Sequence, residues 1–307
     1  MGFADPDKDK PVSEGVIPSM FGGRNAPTAA YAAFSPPIYF DDVEGLWIGG
    51  QFWDGRSPTL KHQAMQPFLN PVEMNNTKEG VVEAVRRSHY AWLFKMVYGP
   101  RSLNDVEKAY ELVAQAIATF EQSKAVNRFT AKYDYYLKGY VDLTKQEKRG
   151  LALFNDPAKG NCAACHPSTS PDGATLPLFT DFTYDNLGMP KNPEIAKLQG
   201  VEELPVDLGL GVTVGDPAEN GKFKVSTLRN IVKTAPYGHN GYFKTLKDIV
   251  HFYKTRDVEP WPKPEYPETM NTDELGNLGL TSKEEDGIVA FLKTLSDGYV
   301  CPRCWPR

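Results

Sequence analysis

The chain is poor in the residues that staple or span. Its 307 residues include only four cysteines and five histidines, too few for a disulfide scaffold or a zinc-rich module. No apolar run approaches the ~20 residues of a membrane-crossing helix. Positive charge is not in excess either: 34 Lys and Arg against 39 Asp and Glu give a net charge of −5. With no basic run to offset that balance, nucleic acid is excluded as a partner. Internal repeats and low-complexity tracts are missing, and so is a secretion signal at the start. Abundance lies elsewhere, in 25 prolines and 26 glycines within an otherwise ordinary soluble composition, 41% hydrophobic and 24% charged. Such a chain is expected to run through long ordered loops wrapped around something that supplies part of the core. Its length suffices for two modest domains or one large one.

The cysteines that are present carry the strongest signal. Asn161-Cys162-Ala163-Ala164-Cys165-His166 has the Cys-x-x-Cys-His spacing of a c-type haem attachment site. Each thiol forms a thioether to the porphyrin, and the adjoining imidazole of His166 is held beneath the iron as its proximal ligand. A zinc half-site would need further ligands at matching spacing. The other pair, Cys301 and Cys304, is remote, lacks a trailing histidine and is followed by Trp305. It is expected to form a tight disulfide in an oxidising compartment, or to be a stray pair without function.

Helix signals flank this motif. Thr144 and Glu147 form a capping box that starts a helix carrying Leu151, Leu153 and Phe154 into the haem loop. A second capping box, Thr281 with Glu284, opens a terminal helix through Ile288, Phe291 and Leu292. Residues 81–139 read as two helices, one around Ala91, Trp92, Phe94, Met96 and Val97, the other from Val106 to Phe120, with these apolar residues assigned to the core.

Several further stretches resemble one family. Arg24-Asn25-Ala26-Pro27-Thr28, Phe52-Trp53-Asp54-Gly55-Arg56 and Asn70-Pro71-Val72-Glu73-Met74 are similar to the first domain of bacterial dihaem cytochrome c peroxidases, the family that includes MauG. Asn186-Leu187-Gly188, Phe223-Lys224-Val225-Ser226-Thr227-Leu228-Arg229-Asn230 and Thr234-Ala235-Pro236-Tyr237-Gly238-His239-Asn240-Gly241 continue the match in order. The resemblance implies a mostly α protein of two c-type cytochrome-like haem domains with long ordered loops, here 1–139 and 140–307. One departure stands out. The family has a Cys-x-x-Cys-His motif in each domain, and the first precedes a segment like Gly2-Phe3-Ala4-Asp5-Pro6, where this sequence opens. The first haem is therefore expected in a longer protein of which Met1 is an internal residue. A monohaem form with a vestigial first pocket is the alternative.

Roles follow from the resemblance. The distal ligand of the second haem is sought among Met189, Met270, His239, His251 and Tyr253. The family's ligand stands fourteen residues after the histidine of Tyr-x-His-x-Gly, which here runs from His239 to Tyr253. A phenolate favours ferric and higher states, whereas a thioether raises the potential; the plainer reading leaves Tyr253 as helix packing. His239 is expected beside the haem as a hydrogen-bonding residue, and His62 and His89, with His251, at the surface or in structural roles. On the peroxide side of the first haem the resemblance puts Gln63, Pro67 and Glu73. There Glu73 would move a proton during O–O cleavage, Gln63 would orient peroxide, and Pro67, unable to ligate, would leave a coordination position open. Without the family, Glu73 would read as a helix-start carboxylate. Trp53 is implied as the relay between haems, although alone such a tryptophan is more often core. Asn25, Thr234 and Pro236 match positions that offer oxygen ligands to a calcium ion.

The function implied is a periplasmic, hydrogen peroxide-dependent haem oxidoreductase. Tyr253 tilts it towards a MauG-like enzyme that oxidises residues of a partner protein. Gly160 stands where MauG carries a tryptophan on its exit route, so the partner or route is expected to differ. Two alternatives stay open: a cytochrome c peroxidase fed by a small cytochrome, and a monohaem electron-transfer cytochrome.

Overall fold

The computed structural model describes residues 3–5, 7–170, 175–302 and 304. Met1, Gly2, Pro6 and Trp305, named above, lie outside the described residues. Helices dominate, and most begin where the sequence supplies a cap. In the first half, helix α1 (Leu60–Leu69) starts at Thr59, whose hydroxyl accepts from His62 N. Helix α2 (Lys78–Arg87) starts at Thr77, and α4 (Val106–Glu121) at Asp105. The short α3 (Ala91–Tyr98) lies between them and ends at Gly99, whose φ of 101° stops the helix. Helices α1 and α2 pack on α4 around Val81, Val82, Val85, Phe94, Ala109, Tyr110 and Val113.

Residues 81–139 thus hold more than two helices, since α2 and α5 (Lys132–Leu137) join the expected pair. The assignment of α3 to the core is also corrected. Only Phe94 of that helix is buried, while Trp92, Met96 and Val97 are 64%, 70% and 65% exposed.

The second half is organised by two helices that cross at glycines. Helix α6 (Lys145–Asn155) begins at the Thr144–Glu147 capping box, and α10 (Ser282–Lys293) at the Thr281–Glu284 box. They pack so closely that a Cβ on Gly150 would collide with the carbonyl of Gly287. Around them Phe154, Phe179, Phe243, Phe252, Ile288, Phe291 and Leu295 form the larger core. Helix α9 (Leu246–Thr255), capped by Thr245 and Asp248, lies against α10. Short α7 (Pro193–Gln199) and α8 (Leu210–Val214) sit in the loops between.

Sheet is minimal. Strands β1 (Tyr39–Asp41) and β2 (Leu46–Ile48) form a hairpin, and β3 (Tyr184–Asp185) pairs antiparallel with β4 (Phe223–Lys224). Cys301 and Cys304 are joined in a disulfide.

Polar contacts stitch the halves together. Arg24 reaches Asp54 of the first half at 2.6 Å and Asp207 of the second at 2.6 Å. Arg229, 1% exposed, pairs with fully buried Asp134 at 2.9 Å and lies over the rings of Tyr31 and Phe129.

Candidate haem site

The haem motif hangs between the end of α6 and a loop that turns back under it. Residues Cys162–Ala164 form a single 3-10 turn, entered through Asn161 at φ 52°. His166 N donates to Cys162 O at 2.9 Å, closing the turn. His166 Nδ1 lies 2.8 Å from the carbonyl oxygen of Phe179. A carbonyl accepts only, so Nδ1 carries the proton and the lone pair is left on Nε2. Burial pulls the imidazole below its ordinary pKa, against the opposing bond to Phe179 and the charge of Asp181, which favours the neutral, ligating form. Both thiols are free. Burial pushes Cys162 up to about 12, and burial with the nearby carboxylates Glu274, Asp181 and Asp185 raises Cys165 as well.

These groups open onto a cavity of about 340 Å³. Phe154, Leu187, Leu246, Val250, Leu278, Ile288 and Leu292 give it an apolar wall, as a porphyrin face requires. Tyr253 lines the same space from α9. Its neighbours His251 and Phe252 point elsewhere, because successive helical residues are turned by about 100°: Phe252 is wholly buried in the core, and His251 bonds Glu285 at 2.9 Å and Glu259 at 3.2 Å. With both ring nitrogens engaged, His251 is not a free ligand. The Tyr253 hydroxyl has no hydrogen-bond partner among the described residues, and burial, followed by the nearby Cys162 and Cys165, raises its pKa. Met189, 6% exposed, also lines the cavity, whereas Met270 does not.

The cavity continues into the first half along Ala26–Tyr31, Gln51, Phe52, Leu60, Gln63 and Glu121. Trp53 stands on this path. Its Nε1 donates to Asn25 O at 2.8 Å, and its own carbonyl accepts from Lys224 N at 2.8 Å, so it is held from both halves. Asn25, Thr234, Pro236 and His239 share the wall. His239 stacks on Phe223 with centroids 3.6 Å apart, and its Nε2 makes no hydrogen bond. Asn25 is further fixed by its amide to His239 O at 2.7 Å and its side chain to Pro11 O at 3.0 Å.

The peroxide-side trio is not gathered in one wall. Gln63 lines the cavity of the haem motif. Pro67 is one turn further along α1 and lines neither cavity. Glu73 lines a second cavity of about 480 Å³ with Arg56, His62, Gln66, Asn70 and Tyr110. Burial raises the Glu73 carboxyl, against the lowering influence of Arg56 and Asn70, so it holds a proton more readily than a surface glutamate. His89 lies exposed against Tyr90.

Sequence reasoning missed two half-buried charges in the cavity of the haem motif, Glu121 and Lys224. Glu121 Oε2 has no partner, and burial raises its pKa to about 7. Lys224 stands inside a quoted motif, yet nothing in the motif says that its ammonium is enclosed. Gly160 lines the same cavity and is buried, and a Cβ there would collide with Leu153 O.

The donor set fits haem c: two free thiols, one histidine with a directed lone pair, an unpartnered phenol and apolar walls. Residues 1–139 offer no Cys-x-x-Cys-His of their own.

Comparison with known proteins agrees. Residues 1–142 match the sequence profile of di-haem cytochrome c peroxidases. The methylamine utilization protein MauG of Paracoccus denitrificans is 37% identical over 315 residues, covering 96% of this chain and 80% of that protein. Cytochrome c551 peroxidase of Nitrosomonas europaea is 33% identical over 251 residues, covering 80% of this chain and 61% of that protein. The crystal structure of the diheme peroxidase BthA from Burkholderia thailandensis superposes with a TM-score of 0.86 at 30% identity, covering 96% and 78% of the two chains.

Proposed function

The chain belongs to the di-haem cytochrome c peroxidase family of haem-dependent oxidoreductases, and on that premise we propose that it is a MauG-like, peroxide-driven oxidase of a partner protein. The observation that carries the choice is Tyr253, which lines the cavity of Cys162, Cys165 and His166 and whose hydroxyl has no hydrogen-bond partner among the described residues. Haem c, when bound, supplies the redox chemistry.

The chain's own residues do the rest. Cys162 and Cys165 tether the porphyrin, and Phe179 O holds the His166 tautomer that presents Nε2. Tyr253 offers a hard oxygen that disfavours the ferrous state. Trp53, clamped between Asn25 and Lys224, is oriented as a relay across the seam. Gln63 hydrogen-bonds substrate in the first-half cavity, and Glu73, its carboxyl raised by burial, is the candidate proton carrier on the neighbouring side of α1. Asn25, Thr234 and Pro236 bring oxygen donors to the seam and support a calcium site there. Thioether attachment of haem and the Cys301–Cys304 disulfide support a periplasmic location.

Met189 favours a second reading, an electron-transferring peroxidase with a thioether ligand, since it lines the same wall. Tyr253→Phe and Met189→Leu separate the two. The tyrosine reading expects the ferric spectrum and midpoint potential to change in Tyr253→Phe alone, with poor turnover when reduced cytochrome c is the donor. A change confined to Met189→Leu, with fast cytochrome-fed turnover, would overturn it.

A further inference from the structure

Among the described residues, the arginines most enclosed by the fold have a carboxylate, and one enclosed lysine in the cavity wall does not. Arg24 has Asp54 and Asp207, Arg229 has Asp134, and Arg256 has Asp257 at 2.7 Å. The exception is Lys224, at the end of β4. Its Nζ donates to Ser35 Oγ and Gly50 O, both neutral and both from the first half. The Phe182 ring lies 5.5 Å from the ammonium. No acidic group among the described residues forms an ion pair with it. An ammonium carries three N–H donors, so one donor is left without a hydrogen-bond partner and the charge without an anion, in a side chain that lines the cavity of the haem motif.

Enclosing a charge without a partner is costly, and proteins avoid it by pairing or by neutralising the group. Burial does pull Lys224 down to about 7, the response expected of an ammonium whose anion is not supplied by the chain. The unused donor of a lysine that lines the cavity, beside two neutral acceptors, points to an anion that arrives with the cavity's occupant. It must be small, tolerate apolar neighbours such as Phe182 and Val225, and accept at least one strong hydrogen bond. A carboxylate on a hydrophobic body has that chemistry, and a porphyrin carries it on its propionate arms.

We propose that Lys224 is the cationic seat of a haem carboxylate at the seam between the two halves, closing a Ser35–Gly50–Lys224 cradle over it. The proposal rests on the haem reading of the site. It makes Lys224 a positioning residue that also sets the local potential: a positive charge beside the cofactor stabilises the added electron of the reduced state.

The test uses the haem-loaded full chain. Lys224→Met removes charge and donors, Lys224→Gln keeps a donor for Ser35 and Gly50 without the charge, and Lys224→Arg keeps the charge. Haem content is read first by intact mass, and its absence from the unaltered protein would sink the haem reading itself. In loaded protein, the Met and Gln variants are expected to lower the haem midpoint potential and shift the propionate bending mode in resonance Raman. The Arg variant should keep the potential near that of the parent. Variants that load haem with an unmoved Raman mode and potential, and lose only unfolding stability, would reduce Lys224 to a stitch between halves. A saturable response of the parent, but not of Lys224→Met, to added acetate would assign the seat to a free carboxylate and overturn the haem assignment.

Discussion

Replacing Asp134 by Asn tests how the second half holds His166, the proposed haem ligand. Asp134 is wholly buried and Arg229 nearly so. The carboxylate accepts from Arg229 Nη2 at 2.9 Å and Nη1 at 3.2 Å, and from Ala131 N at 2.8 Å at the start of α5. Asn keeps the shape but removes the negative charge and turns an NH2 group towards a guanidinium that is itself all donor. Arg229 cannot escape to water, because Tyr31, Phe129 and Phe179 surround it. Breaking one side of such a pair leaves an uncompensated buried charge, and the expected loss is about 3–5 kcal/mol. Urea unfolding followed by far-UV circular dichroism reads it. The damage should reach the haem as well. Arg229 Nε donates to Pro177 O at 2.8 Å, and the same segment presents Phe179 O to His166. The loaded variant should therefore show a broadened or shifted Soret band. A double change, Asp134→Leu with Arg229→Met, should recover much of the stability, since an apolar pair of similar volume carries no orphaned charge. A loss below about 1 kcal/mol in Asp134→Asn would refute the reasoning, for it would mean that water reaches the pair.

Other outcomes follow from single sites. Glu121 has a folded pKa near 7 against 4.5 in the unfolded chain, so its contribution to stability is full below 4.5 and is lost as pH rises through 7. That gap is worth at most about 3 kcal/mol, and about 1–2 once its partial exposure is allowed for. Glu121→Gln should therefore gain about that much over the parent at pH 8 relative to pH 5, and equal differences at the two pH values would contradict the burial argument. Gly150→Ala should cost about 1–3 kcal/mol by wedging α6 from α10, read as a lowered urea midpoint. Trp53→Phe should leave haem content intact while lowering peroxide-driven oxidation by an order of magnitude or more; unchanged turnover would remove Trp53 from the path. Chelation by EGTA should lower the thermal midpoint and release calcium detectable by metal analysis, and protein with no bound calcium would withdraw Asn25, Thr234 and Pro236 as its site.

What could be read from the sequence was local. The Thr144–Glu147 and Thr281–Glu284 boxes act within one turn, so residue type and spacing suffice, and both helices start there. The haem motif is equally local: Cys162, Cys165 and His166 reach the cavity from one short turn. Partners across the fold were not legible. Helical spacing marked Trp92, Met96 and Val97 as an apolar face, but no period says whether another element covers that face, and here none does. Gln63, Pro67 and Glu73 were grouped by resemblance, yet the end of α1 turns the chain at Asn70 and sends Glu73 into a different cavity.

The same distinction explains why the seam is the informative part of this molecule. The two largest apolar clusters lie mostly in one half each, and two smaller ones bridge the halves, Val12 and Phe21 against Ile195, and Tyr31 and Phe129 against Leu178. Polar, directional contacts also join the halves: Arg24 between Asp54 and Asp207, Trp53 between Asn25 and Lys224, and Lys224 on Ser35 and Gly50. Hydrophobic contact alone would have let the halves slide by a side chain, because it is non-directional. Hydrogen bonds with fixed donors and acceptors do not permit that. The relay role proposed for Trp53 would need a fixed separation and a fixed orientation of its ring. Placing directional bonds on both sides of Trp53, rather than apolar packing, is the arrangement that supplies both.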